Sequence, residues 1–402
     1  MCIAIRCLCA AAILLLAFVG CTTAPYTGRR QLMLVSEGQE MSLGDEAYRH
    51  ELRTSVLLNN PEALRIVRKV GEKIAGVANK PDYRWEFRVI DDPEMANAFC
   101  VPGGKVGVYT GIFPIARDEA GLAVIIGHEV AHALARHAAE RMSQSMLVQL
   151  GGVGLSAALG SNPQMANQVL QAYGLGAGLG VILPFSRSQE SEADRIGLTL
   201  MAKAGYDPRV ALEVWERMEK HASAKERGKP PEFLSTHPGY ETRTQRIREF
   251  IPEALAYYRG ENKSLELLPS PQALDSPTAR AERELVKRIQ GVNQQAQDRT
   301  GERAVVETLG YSFRIAPSLV YQERQQLRLT YGEYASLRAL SSFGQGSFRR
   351  ALADYQAGMP WSELARSNRA ELIDLIAWMG DLRRRVAMVH GQLRNQLRSG
   401  LP

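Results

Sequence analysis

The chain has 402 residues, 45% hydrophobic and 23% charged, a globular composition with enough length for two or three cores. A formal charge of +6 and a pI near 9.0 make it mildly basic. No zinc knuckle and no basic patch interleaved with aromatics accompanies that charge, so no nucleic acid is expected as a partner and the arginines are assigned to solvated surface.

The N-terminus, MCIAIRCLCAAAILLLAFVGC, sets one cation, Arg6, before a short apolar run that ends at Cys21. This is the pattern of a secretory leader, too short for a spanning helix. The small residues before Cys21 are similar to a bacterial lipobox, with Phe18 where an aliphatic residue is usual. The expectation is a signal over 1–20, a lipid on Cys21 that reaches the membrane, and a tether over 21–45. Thr22 rather than Asp after the cysteine points to the inner leaflet of the outer membrane, facing the periplasm of a Gram-negative cell. Cys2, Cys7 and Cys9 fall in the leader, so Cys100 is left single and no internal disulfide is expected.

The next elements follow from periodicity and punctuation. Asn60 and Pro61 start a helix with Leu64, Val67, Val70 and Ile74 at helical spacing. The stretch YRWEFRVI alternates as a strand. NAFCVPGGKVGVYT breaks at Pro102-Gly103-Gly104 and resumes alternation, which predicts a strand or hairpin. From Asp118 to about Ser145 a long helix is predicted, with its acidic start favoured by the helix dipole. Residues 147–183 are glycine-rich and apolar, read as buried or groove-lining helix. SRSQESEADRIGLTLMAKAGYDP is a second helix closed by Gly205 and Asp207-Pro208. A Pro/Ser-rich linker is expected over 263–278, and the arginine-rich remainder, 279–402, reads as an all-helical region of unassigned role.

The first long helix carries GHEVAHALARH. Residues i and i+4 share a helix face, so His128 and His132 point the same way, with Glu129 beside them. Two imidazoles hold zinc in such a motif and the carboxylate handles a proton. His137 lies nine positions after His128, on the opposite face of a continuous helix, and is read as a surface or packing histidine. Glu190 and Asp194 again stand at i and i+4, on the second helix. Glu190 can complete a site of two histidines and one carboxylate, and Asp194 can accept the spare N–H of a ligating imidazole. Glu192 between them is read as part of a solvated acidic face.

Four stretches, NAFCVPGG, GHEVAHALARH, FSRSQESEADRIG and STHPGYETR, resemble in their order the linked motifs of peptidase family M48, the HtpX-, Oma- and BepA-type zinc metalloproteases. The resemblance covers roughly residues 25–260. It implies an α+β fold, mainly helical and zincin-like (gluzincin) with a small sheet, over 46–262. It implies one zinc per chain on His128, His132 and Glu190, Glu129 as general base, and Asp194 as the residue that orients a ligand or donates a proton. His237 and Arg243 become candidates for stabilising an oxyanion, and His237 also for a removable fourth ligand. Unlike HtpX-like members, this sequence shows no spanning helix after Cys21, and unlike BepA no tetratricopeptide repeat. Cys100 stands where a small apolar residue is more usual, and is read as a buried hydrophobe.

The function so implied is zinc-dependent endoproteolysis of unfolded or misassembled envelope proteins. Clients would add as an extra strand along the edge at Lys105–Tyr109. The alternative is a zinc-binding, chaperone-like assembly factor that binds clients without cutting them. The oligomeric state is left open.

Overall fold

The computed structural model describes residues 21–144, 146, 186–224, 233, 234, 237, 242–260, 265–343 and 346–399. The expected leader over 1–20 and the glycine-rich stretch over 147–183 lie outside the described residues. The described fold is α+β and mainly helical with two small sheets. No described helix is long and apolar enough to cross a membrane. The chain divides into two units.

The first unit takes in residues 1–49, 60–89 and 93–271. The expected tether over 21–45 is instead a two-stranded antiparallel hairpin, β1 (Cys21–Thr23) with β2 (Arg30–Leu32), followed by the start of helix α1 (Glu37–Thr54). Helix α2 (Pro61–Val77) begins where the caps predict: the Asn60 side chain accepts from Ala63 N–H and Pro61 opens the first turn. Its buried stripe is Ala63, Ile66, Val67, Val70 and Ile74. Strands β3 (Glu86–Ile90), β4 (Ala98–Val101) and β5 (Lys105–Tyr109) form a sheet in the order β3-β5-β4. The β4–β5 hairpin turns through Gly103 and Gly104, at φ of 92° and 82°, a region that favours glycine.

Helix α3 (Glu119–Leu134) is capped by Asp118, whose side chain accepts from Gly121 N–H, and is buried along its whole length. It packs on helix α4 (Arg187–Lys203), on α2 and on β4. A Ser186–Gln189 capping box starts α4. Helix α5 (Val210–Ala224) packs on α3, and α6 (Arg243–Leu255) packs on α4 and α5. Part of the expected linker is paired rather than free. Leu267 bridges Asp118 in antiparallel fashion, and Leu268 N–H donates to Arg117 C=O at 2.9 Å. Lys69 meets both Glu119 and Glu266 there, at 2.7 and 2.9 Å.

The second unit takes in 50–59, 90–92 and 272–402. Seven helices, α7 (Pro277–Gln295), α8 (Arg299–Phe313), α9 (Pro317–Gln326), α10 (Tyr331–Phe343), α11 (Phe348–Gln356), α12 (Trp361–Ser367) and α13 (Leu372–Ser399), surround a core that includes Leu285, Leu309, Leu337, Leu340, Met379 and Leu382. Val56 belongs to that core. Asp91, held by Val56 C=O through its N–H, is buried and meets Arg283 at 2.6 Å.

Candidate metal centre

The site is assembled where α3 and α4 cross. The crossing is close because both helices carry glycine at the contact. A Cβ on Gly197 would stand 2.9 Å from His128 N and 3.0 Å from Gly127 C, both backbone atoms that cannot swing away. That proximity sets Glu190 and Asp194 of α4 against His128 and His132 of α3.

Four buried side chains, His128, His132, Glu190 and His237, offer one donor atom each, all within 4.8 Å of one another. His128 Nε2 lies 3.1 Å from His132 Nε2 and 3.3 Å from His237 Nδ1. The two oxygens of Glu190 lie 3.5 Å from His128 Nε2 and 3.4 Å from His132 Nε2, and His237 Nδ1 is 3.0 Å from Glu190 Oε1. Donors held at about 2.0–2.1 Å around a tetrahedral zinc are separated by roughly 3.3–3.4 Å. The five separations above, 3.0–3.5 Å, match such a cage, and no two of the four donor atoms are more than 4.8 Å apart. Two converging imidazole lone pairs 3.1 Å apart call for a proton or a cation between them. The group is able to hold a metal.

Electrostatics point the same way. Burial opposes a charged His128, but Asp194 and Glu190 outweigh it and push its pKa up to about 9. Burial first, and the neighbouring His128 and His237 after it, hold His132 well below the usual histidine range against the pull of Glu190. Burial pushes Glu190 up, but three neighbouring histidines overcome it and keep the carboxylate ionised. Glu129 is raised by burial, and its Oε1 has no hydrogen-bond partner, with His237 Nε2 3.4 Å away. A buried carboxyl raised toward neutrality and facing the cage is suited to accept a proton.

Asp194 Oδ1 lies 3.0 Å from His128 Nδ1, on the far side of the ring from the cage. Arg243 is engaged. It reaches both oxygens of Asp194 at 2.9 Å, Glu190 Oε2 at 2.8 Å, and lies 3.6 Å above the Trp215 ring. Its guanidinium therefore holds the two carboxylates of α4 rather than presenting free donors to a reacting oxygen. Cys21 opens β1, its backbone opposite Leu32. Cys100 is outside the donor group; burial first, and the nearby Glu129 charge second, keep its thiol protonated.

Three placements correct the sequence-based expectations. The strand Lys105–Tyr109 is the middle of its sheet, with neighbours on both sides; among the described residues the terminal strand beside α3 is β4. His137 is neither exposed nor turned away. The helix breaks at Ala135 and Arg136, the latter at φ 60°, before residues 137–144 become helical again. The break turns His137 inward, fully buried, with Nδ1 2.9 Å from His132 Nδ1 and Nε2 3.0 Å from Glu192 Oε2. Burial lowers the pKa of His137, which disfavours a charged ring. Glu192 is likewise buried, not a solvated charge. Burial works to raise its pKa, but His137, Thr27 and Arg29 hold it down to about 2. The spacing carried no signal for either residue.

Known proteins bear on this geometry. Residues 61–251 match the model of Peptidase family M48. The chain is 38% identical over 233 residues to the mitochondrial metalloendopeptidase OMA1 of Schizosaccharomyces pombe, covering 57% of this chain and 66% of that protein. It is 33% identical over 250 residues to the mitochondrial metalloendopeptidase OMA1 of Saccharomyces cerevisiae, covering 58% and 70%. It is 31% identical over 225 residues to the beta-barrel assembly-enhancing protease of Escherichia coli, covering 55% and 45%. The chain thus spans about two thirds of these fungal relatives and under half of the bacterial one. The expected outer-membrane, periplasmic location is overturned here. The relatives of higher identity are mitochondrial proteins, and the bacterial protein is the weaker match. An apolar N-terminal run ending in a cysteine is too coarse a signal to name a compartment. With the metal-binding motifs gathered into one buried cage and a relative covered over 70% of its length, the chain belongs to peptidase family M48, whose members are metallopeptidases.

Proposed function

We propose that this chain is a zinc-dependent endopeptidase that cleaves unfolded or misassembled polypeptides, with His128, His132 and Glu190 holding the metal. The observation that carries the reading is the buried cage of four donors with the raised carboxyl of Glu129 facing it. The donor set, two imidazoles and a carboxylate, suits zinc. When bound there, zinc would supply Lewis acidity to a scissile carbonyl and would acidify water.

The chain's own residues do the rest. Glu129 takes the proton of the attacking water and returns it to the leaving amine. Asp194 Oδ1, 3.0 Å from His128 Nδ1, pairs with that ring from behind and so keeps Nε2 turned into the cage. Arg243 clamps Asp194 and Glu190 in register with the histidines. The terminal strand β4 offers main-chain groups to an extended client, a mode that selects chains lacking structure over chains of a given sequence.

One observation favours a second reading. His237 supplies a fourth donor, and a fully ligated site binds metal without leaving a position for chemistry. A zinc-binding, chaperone-like factor would look the same. The experiment is zinc content and cleavage of casein for the wild type and Glu129→Gln. The expected result is one zinc in both and turnover lowered about 10²- to 10⁴-fold in the variant. Zinc in both with cleavage in neither moves the assignment to the binding factor, and no zinc in the wild type overturns both readings.

A further inference from the structure

Resting on the reading that His132 is a zinc ligand, we propose that His137 and Glu192 are positioning residues for that ligand, forming a second relay to the metal beside the one from Asp194 to His128. The relay runs through the back of the site. His132 Nε2 faces the donor cage, and His132 Nδ1 lies 2.9 Å from His137 Nδ1. His137 Nε2 lies 3.0 Å from Glu192 Oε2. Glu192 also accepts from Arg29 Nε at 2.6 Å and from Thr27 Oγ1.

The direction of each hydrogen bond follows from donor counting. Glu192 is a carboxylate already paired with a guanidinium, so it only accepts. His137 Nε2 therefore donates. With a metal on His132 Nε2, Nδ1–H is that ring's remaining donor, so His137 Nδ1, 2.9 Å away, receives its proton. That fixes His132 in the tautomer whose Nε2 carries a lone pair, the one a metal requires. Reversing any link would put a proton on His132 Nε2 and aim it into the cage. The carboxylate at the far end also makes His132 a better electron donor.

The relay is anchored outside the motif helices. Arg29, in the N-terminal hairpin, bonds Glu192 and reaches both oxygens of Glu140 at 2.8 and 2.7 Å. Glu140 in turn accepts from Gln189 of α4 at 2.7 Å. The hairpin thus clasps the two acidic residues behind the site with a single cation that is mostly buried.

The test uses the full chain and measures zinc affinity by competition with a chelator, together with the visible spectrum of the cobalt-substituted protein. His137→Phe fills the volume but removes the acceptor. Zinc affinity is expected to fall ten- to a hundredfold, with an altered cobalt spectrum. His137→Asn sets an acceptor near the position of Nδ1 and is expected to recover most of the affinity. Glu192→Gln keeps a neutral acceptor and is expected to weaken zinc three- to tenfold. If His137→Phe does not fold, Glu192→Gln and His137→Asn decide. Zinc affinity within twofold of wild type in the folded variants overturns the relay. So does a His137→Asn protein no better than His137→Phe, since a merely structural loss would not be rescued by the acceptor. Failure of the wild type to bind zinc is a different outcome, one that removes the functional reading itself.

Discussion

His237 Nδ1 lies 3.0 Å from Glu190 Oε1, and its Nε2 stands 3.4 Å from Glu129 Oε1 without bonding it. It is buried, and its ring stacks on Phe233 with centroids 4.7 Å apart. In the proposed mechanism a group placed there occupies the position of the water that Glu129 deprotonates. On the proposed reading, His237→Ala vacates that position and raises cleavage of an unfolded substrate roughly tenfold, the gain expected when a state closed about nine times in ten is opened. A turnover assay of the variant decides. A loss of activity with zinc retained would assign His237 to the reaction rather than to the latch. Arg243 illustrates the opposite fate of a candidate: a charged side chain that reads as a free donor in sequence is consumed by two carboxylates and a tryptophan face. No local pattern announces such a partnership, because its members lie 28 to 53 positions away and meet only through the packing of three helices.

At the scale of elements, the crossing of α3 and α4 governs the geometry. The approach at Gly127 and Gly197 leaves no room for a methyl group. Gly197→Ala is expected to cost about 1–3 kcal/mol from overpacking against backbone. It should also weaken zinc binding out of proportion to that loss, since Glu190 and Asp194 ride on the displaced helix. A melting curve and a chelator titration of the variant check this, and a variant with lowered stability but wild-type zinc affinity would show that the crossing does not set the site. The end of α3 is the second element-scale feature. Helix propensity through ALARHAAE gives no stop signal. Yet Arg136 adopts φ 60°, and its guanidinium is held by Glu40 at 2.7 Å and Val35 C=O at 3.1 Å. Those tertiary bonds offset a left-handed conformation that costs about 1–2 kcal/mol for a non-glycine residue, and the resulting turn is what brings His137 to His132.

At the scale of the whole molecule, the second unit is not a tail. It draws residues 50–59 and 90–92 from within the earlier sequence, with Val56 in its core and Asp91 buried on Arg283. A chain cut after residue 271 would expose that apolar surface and leave Asp91 without its cation, a loss of about 2 kcal/mol from the carboxylate alone. We expect the cut chain to show lower soluble yield and a lower apparent melting midpoint than the full chain. Full-length stability in the cut chain would refute the discontinuous unit.

What the sequence determined by itself was the chemistry that local spacing can encode. The i, i+4 pairs His128/His132 and Glu190/Asp194, the Asp118 and Asn60 caps and the Gly103-Gly104 hairpin turn are all short-range, and the helix or turn period places them without outside help. What only the tertiary structure decided was everything that depends on partners distant along the chain. The break at Arg136, the inward turn of His137, the burial of Glu192 on Arg29 and the middle position of β5 are of this kind. The physical reason is that these features are set by ion pairs and strand order closing over tens to more than a hundred residues, where local propensity is too weak to choose.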